Sequence, residues 1–358
     1  MPKHFLPLLS LSLTTVFGCA FASETIVIDA GSSGSRLHVY NVINGMVKEL
    51  ASYKVKPGIS MAADPAASIK GLIQQAENAY PQTHGANFYL MATAGMRLLP
   101  QSKQQGIYQS ISNMIRNSYA DLQVKYIGTI TGQWEGIYDW IAANMQENGD
   151  ISQNSSITKG VLDLGGASTE IAYAVDQADK GNTVSIKLAN NTYHIKSFSY
   201  LGLGEDQAIA QYLNDADCFR LNYTTPSKKP GTGNIEACEN HIIPLLNIHD
   251  IKKDTADAKS KDFVVVSGFS YLAEALNKTD HIQVQDYDSD FAKQKFCIQP
   301  DTVTDPAFAY KYCFSAAYIK DLLTKGYMFA ADKQLAVGTN VDWPQGVALY
   351  FAANAGHS

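Results

Sequence analysis

With 358 residues, 46% of them hydrophobic and only 17% charged, the chain carries enough apolar mass for one large or two medium globular domains, and two lobes are the expectation. A net charge of -6 excludes a general nucleic-acid binder, because no run of Lys and Arg interleaved with aromatics is present to follow a phosphate backbone. Any phosphate recognition must therefore be local.

Residues 1–22 read as a secretory signal peptide: Lys3 and His4, the apolar run FLPLLSLSLTTVFG, then the small-residue site AFA before Ser23. Export, secreted or periplasmic, is expected. VFGC at Val16–Cys19 also resembles a lipobox with Phe17 out of pattern, which leaves a lipoprotein form as the alternative. No later segment has the roughly 18 apolar residues of a membrane span, so the mature chain is expected without a transmembrane segment, and as a monomer.

Next come TIVIDA and RLHVYNV as strands, SIKGLIQQAENAY as a helix, NFYLMAT as a strand, a helix through GIYQSISNMIRNSYA, and the strand VKYIG. This alternation predicts α/β layering around a mixed sheet. QWEGIYDWIAANM follows with Trp134, Ile137, Ile141 and Met145 at helical spacing, and NGDISQNSSITKG is a polar connector. A second α/β region runs through GVLDLGGASTEIAY, KLANNTYHIKSFSYLGLGEDQAIAQYL and FVVVSGFSYLAEALN. In VDWPQGVALYFAAN, Pro344 marks the start of a last helix that should pack back on the first lobe. Once Cys19 leaves with the signal, Cys218, Cys238, Cys297 and Cys313 remain, and an even number in an exported chain reads as two disulfides. Local pairing, Cys218 with Cys238 and Cys297 with Cys313, is expected.

The chemistry concentrates in a pattern written twice. TIVIDAGSSGSRLHVY, residues 25–40, and GVLDLGGASTEIAY, residues 160–173, each carry a buried strand that delivers an Asp to a tight Gly/Ser turn and a second strand. Glycines let the backbone approach a ligand, turn amides and hydroxyls face an anion, and Asp29 or Asp163 can hold a divalent cation directly or through water. One such loop says little, but two can clamp a phosphate chain and its metal from both sides of a cleft. Thr93, in MATAGMRLL, stands at a strand's carboxyl end beside Arg97, where α/β clefts open. Glu135, in GQWEGIYDW, sits amid apolar surface where burial can tune a general base.

Together VIDAGSSGSRLHVY, MATAGMRLL, TGQWEGIYDW, VLDLGGASTEIAY and VDWPQGVAL resemble, in order and spacing, the five apyrase-conserved regions of the GDA1/CD39 nucleoside triphosphate diphosphohydrolases. The resemblance covers residues 25 to 351 and implies an α/β, two-lobed actin-like (RNase H-like) fold with the active site in the interdomain cleft. The lobes would be 23–145 with 345–358, and 146–344. It implies Mg²⁺- or Ca²⁺-dependent hydrolysis of nucleoside tri- and diphosphates. Asp29 and Asp163 would hold the metal through water. Ser32, Ser33, Gly34, Ser35, Arg36, Thr93, Gly165, Gly166 and Ala167 would bind phosphates. Glu135 would take a proton from the attacking water, which Ser168 positions. Glu170 departs from the Gln usual in the family and matches instead the exopolyphosphatase/guanosine pentaphosphate phosphohydrolase family, the alternative reading. An ionised Glu accepts hydrogen bonds without donating, and would repel a charged Glu135. From the aromatic clusters GFSYL and YKYCFSAAY, Tyr271 and Tyr318 are the candidates for stacking on the nucleobase.

Overall fold

The computed structural model describes residues 23–43, 46–145, 151–179, 183–188, 190–247, 250–299 and 310–354, so the signal-peptide reading lies outside the described residues. Strands β1 (Ser23–Ala30), β2 (Ser35–Ile43) and β3 (Met46–Val55) form an antiparallel meander. Strands β4 (Asn87–Ala92) and β5 (Gln123–Thr129) then add in parallel, giving the order β3-β2-β1-β4-β5. In the second sheet β6 (Gly160–Leu164), β7 (Ser168–Val175) and β9 (Asn191–Leu201) repeat the meander, and β8 (Thr183–Leu188) extends its edge. Here β10 (Phe263–Ser267) and β12 (Gln334–Val337) add in parallel, and β11 (His281–Gln283) ends the sheet antiparallel.

Reading β6 for β1, β7 for β2, β9 for β3, β10 for β4 and β12 for β5 converts one strand order into the other. The repeated glycine-rich pattern is therefore a repeated place in the fold. Each copy is the hairpin turn of a central strand, and both central strands are buried on two faces, as their unbroken apolar runs require.

Helix α1 (Pro65–Ala79) begins where Asp64 accepts a hydrogen bond from the Ala67 amide at 2.9 Å and Pro65 pre-sets the first turn. It buries Ile69, Leu72, Ile73 and Ala76, and with Ile111 and Ile115 of α3 (Gln101–Ser118) covers one face of the first sheet. The short helix α2 (Ala94–Arg97) lies between them. Helix α4 (Gly132–Asn144) follows the last strand of the first sheet but packs on β6, β7 and β9 of the second. Conversely, the helix Trp343–Asn354 follows the second sheet and packs on the first, as expected, and on α4. This exchange places Ile137, Trp140 and Ile141 of α4 with Val347 and Leu349 in one apolar layer between the sheets.

Where these two helices cross, a methyl group on Gly346 would stand 1.9 Å from the carbonyl oxygen of Tyr138. Gly346→Ala should therefore destabilise the protein by about 1–3 kcal/mol through overpacking, read as a lower denaturant midpoint at unchanged slope. Both expected disulfides are present, Cys218–Cys238 and Cys297–Cys313. They join Cys238 of helix Ile235–Leu245 to Cys218 at the end of the 3-10 helix Ala216–Cys218, and Cys313 of helix Tyr312–Asp321 to Cys297 of the π-helical turn Gln294–Ile298. Among the described residues no helix is long and apolar enough to cross a membrane.

Candidate active site

Strand β1 carries Asp29 to the turn at residues 31–34, and β6 carries Asp163 to the turn at residues 165–167. Both turns open into one cavity of about 580 Å³, lined also by Thr93 at the end of β4, Glu135 from α4 and Tyr271. Among the described residues the amides of Ser32, Ser33, Gly166 and Ala167 have no intramolecular acceptor. Convergent unpaired amides in two turns form an anion-binding concavity. Of the expected phosphate contacts, Ser32, Ser33, Arg36, Thr93, Gly165 and Gly166 line the cavity. Ser35 and Ala167 are buried just behind it, and Gly34 packs against the Val55 carbonyl.

Register explains how the acidic groups meet. Asp163 on β6 lies directly across from Glu170 on β7, and Glu170 lies across from Ser199 on β9. In the first sheet the residue across from Asp29 is Arg36, so the two copies differ in sign at the same place. Thr131 caps α4 by accepting from the Trp134 amide at 3.3 Å, and Glu135 follows in the first turn, facing the acidic strip of the second sheet.

Arg97, which the sequence reading placed beside Thr93 without a role, ties this group together. Its Nη2 donates to Glu135 Oε2 at 2.7 Å and Ser168 Oγ at 3.0 Å, and lies 3.5 Å from Glu170 Oε1. Glu170 Oε1 also accepts from the hydroxyls of Ser168 and Ser199, each at 2.6 Å. Gly132 makes room: a methyl group there would lie 2.0 Å from Ser199 Oγ and 2.1 Å from Arg97 Nη1.

Burial pushes every carboxylic acid of the group up. Glu135 stands well above the ordinary range, first by burial and then by the charge of Glu170, with Arg97 opposing. Burial likewise raises Glu170, against the pull of Arg97 and the two serines. Asp29 is raised to about 7 by burial and the neighbouring Asp342, and Asp163 to about 8 by burial and Glu170. Asp139, one turn beyond Glu135, is also buried and raised.

These features test whether a cation fits. Oδ1 of Asp29, Oδ1 of Asp163 and Oε2 of Glu170 are buried without a hydrogen-bond partner among the described residues, a costly state for an anionic oxygen. Carboxylate oxygens of Glu135, Asp163 and Glu170 lie within 4.8 Å of one another. Hard oxygen donors at this density suit a divalent cation of the Mg²⁺ or Ca²⁺ kind.

Two aromatic expectations part ways. Tyr271 lines the cavity and is 54% exposed, its hydroxyl facing Arg36. Tyr318 is a correction: it is fully buried and its hydroxyl donates to the Leu203 carbonyl at 2.5 Å, so its ring has no face for a base. Residues missed by sequence reasoning include Ser267, which ends β10 much as Thr93 follows the last residue of β4, and which faces Asp163. The parallel between NFYLMAT and FVVVS, apolar strands ending in a hydroxyl, was the available signal. Asp342 was missed as well; it lines the cavity, 3.3 Å from Arg36 and 3.6 Å from His38 Nε2.

Comparisons with known proteins agree with this geometry. The profile of the GDA1/CD39 (nucleoside phosphatase) family matches residues 22–356. Nucleoside diphosphate phosphatase ENTPD5 of Homo sapiens is 32% identical over 98% of this chain and 90% of its own length. Ectonucleoside triphosphate diphosphohydrolase 3 of Mus musculus is 27% identical over 93% and 75%. Among solved structures, nucleoside triphosphate hydrolases from Neospora caninum superpose with a TM-score of 0.64 at 14% identity, covering 94% of this chain and 93% of theirs. A Ppx/GppA family member from Aquifex aeolicus superposes with a TM-score of 0.56 at 15% identity, covering 94% and 100%. At such identities the likeness shows the fold alone, the expected two-lobed actin-like architecture. By sequence over nearly its whole length, the chain belongs to the GDA1/CD39 (nucleoside phosphatase) family.

Proposed function

We infer that the protein hydrolyses the terminal phosphate of nucleoside di- and triphosphates in the cleft, releasing inorganic phosphate. The observation that carries the mechanism is Glu135, a buried carboxylate held at one oxygen by Arg97 beside two phosphate-sized turns. With Oε2 engaged, Oε1 is left to accept a proton from a water aligned with the phosphoanhydride bond. Ser168 lies against the same guanidinium and orients that water. The turn amides and the hydroxyls of Ser32, Ser33 and Thr93 meet the phosphate oxygens, where charge is spread in the transition state. Asp29 and Asp163 would hold Mg²⁺ or Ca²⁺ through water, and the cation supplies charge neutralisation on the phosphates. The anhydride bond breaks, the water oxygen bonds to phosphorus, and the proton passes to Glu135, so no covalent phosphoenzyme forms. Phosphate release from nucleotides that stops on chelation, with none from polyphosphate, supports the assignment; release from polyphosphate alone would refute it.

Cation binding should be linked to pH. Without a cation Asp29 and Asp163 hold protons up to about pH 7 and about pH 8, and a carboxylate that holds a cation, here through water, must lose its proton. Affinity should rise from acid pH, by at least about tenfold between pH 6 and 8, and level off above. Calorimetry in buffers of different ionisation enthalpy should show proton release below pH 7 and none above pH 9.

The leader at residues 1–22 supports export, and the two disulfides fit an oxidising compartment. The mass of the protein recovered from its native compartment should then correspond to a chain starting at Ser23.

A further inference from the structure

The helix Gly268–Ala275 runs outward from the catalytic end of the cavity. Gly268 packs on the carbonyl of Leu164, beside the second phosphate turn. Six residues on, about 9 Å along the axis, Glu274 lines the same cavity one turn beyond Tyr271. Tyr271 and Glu274 are three residues apart and share a helix face. Glu274 makes no side-chain hydrogen bond or ion pair among the described residues. Beside it stands Lys295, whose Nζ is fixed by donating to the Ala275 carbonyl at 2.6 Å and has two further N–H donors. The outer end of the cavity therefore offers, next to an exposed aromatic face, an acceptor pair and a fixed donor.

We propose that Tyr271, Glu274 and Lys295 select guanine, an inference that rests on the nucleotide-hydrolase reading. Guanine presents two adjacent donors, N1–H and the 2-amino group, followed by an acceptor, O6. A carboxylate takes the two donors and an ammonium meets the acceptor. Adenine and cytosine place a ring-nitrogen lone pair against the carboxylate, and uracil places one N–H between two carbonyls. Tyr271 stacks on any base and supplies affinity without choice. Glu274 supplies the choice.

Inosine diphosphate provides the test, because hypoxanthine keeps N1–H and O6 and lacks only the 2-amino group. With the mature chain and one divalent cation, kcat/KM for GDP should exceed that for IDP by about tenfold, and those for ADP and UDP by at least as much. Glu274→Gln should bring the GDP:IDP ratio close to one and raise kcat/KM for ADP, because the amide N–H can meet the ring-nitrogen lone pair that the carboxylate repels. Lys295→Met should lower GDP and IDP together, because O6 is common to both. Equal rates for GDP and IDP in the unmodified protein, or an unchanged ratio in Glu274→Gln, would overturn the proposal. If all four diphosphates are hydrolysed equally, base selection fails and nucleotide hydrolysis stands. If none is hydrolysed, both fail.

Discussion

Glu135→Gln should lower kcat for phosphate release from nucleoside diphosphates by about a hundredfold to ten-thousandfold, while the dissociation constant for the cation–nucleotide complex changes by less than about threefold. The amide keeps the size of the side chain and can still accept from Arg97 Nη2 through its oxygen, so the network of Arg97, Ser168 and Glu170 stays assembled. What it loses is the ability to take a proton in the transition state. A loss confined to kcat identifies the base. A loss confined to KM would mean that Glu135 holds the cation–nucleotide complex, and retained kcat would remove it from the mechanism. The variant should also be at least as stable as the parent between pH 6 and 8, because a carboxylic acid raised well above the ordinary range by burial is a poor place for a charge.

The same residues show what a sequence can and cannot disclose. The duplicated turn was legible because its requirements are local: an apolar strand, one Asp, then glycines and hydroxyls. The two disulfides and the placing of Pro344 at a helix start were legible for the same reason. Strand β3 was not, since Glu49 and a register shift against β2 interrupt the alternation in MVKELASYKV, and its apolar residues Val47, Leu50, Tyr53 and Val55 are only half-buried. Arg97 could be noticed but not assigned, because its partners come from α4, β7 and β9, brought together only when the second sheet's register and the α4 packing are known. Tyr318 was misread because an aromatic at helical spacing carries no sign of which way its helix faces, and this one faces the core.

Glu170 and Arg97 make the second large prediction. Arg97→Met removes the cation between two buried carboxylates, and breaking such an arrangement from one side destabilises by about 3–5 kcal/mol. The sign of its pH dependence follows from the raised carboxyl pKa values. Glu135 and Glu170 bind protons more tightly in the folded state than unfolded, where 4.5 is the ordinary value, so stability falls as pH rises from about 4.5 toward their folded values. Without the guanidinium those folded values rise further, and the deficit of Arg97→Met should be largest at alkaline pH and shrink on acidification. Glu170→Gln alone should be close to neutral for stability, because Arg97 keeps Glu135 and the two serines keep a hydrogen-bond partner at position 170. It should also move the acid limb of the kcat/KM profile to lower pH, since the charge of Glu170 adds to burial in raising Glu135. In the Arg97→Met background Glu170→Gln should restore part of the lost stability, an interaction of about 1–3 kcal/mol in a double-mutant cycle. Strict additivity would mean that Arg97 neutralises Glu135 alone, and the Glu in place of the family Gln would then carry no electrostatic consequence.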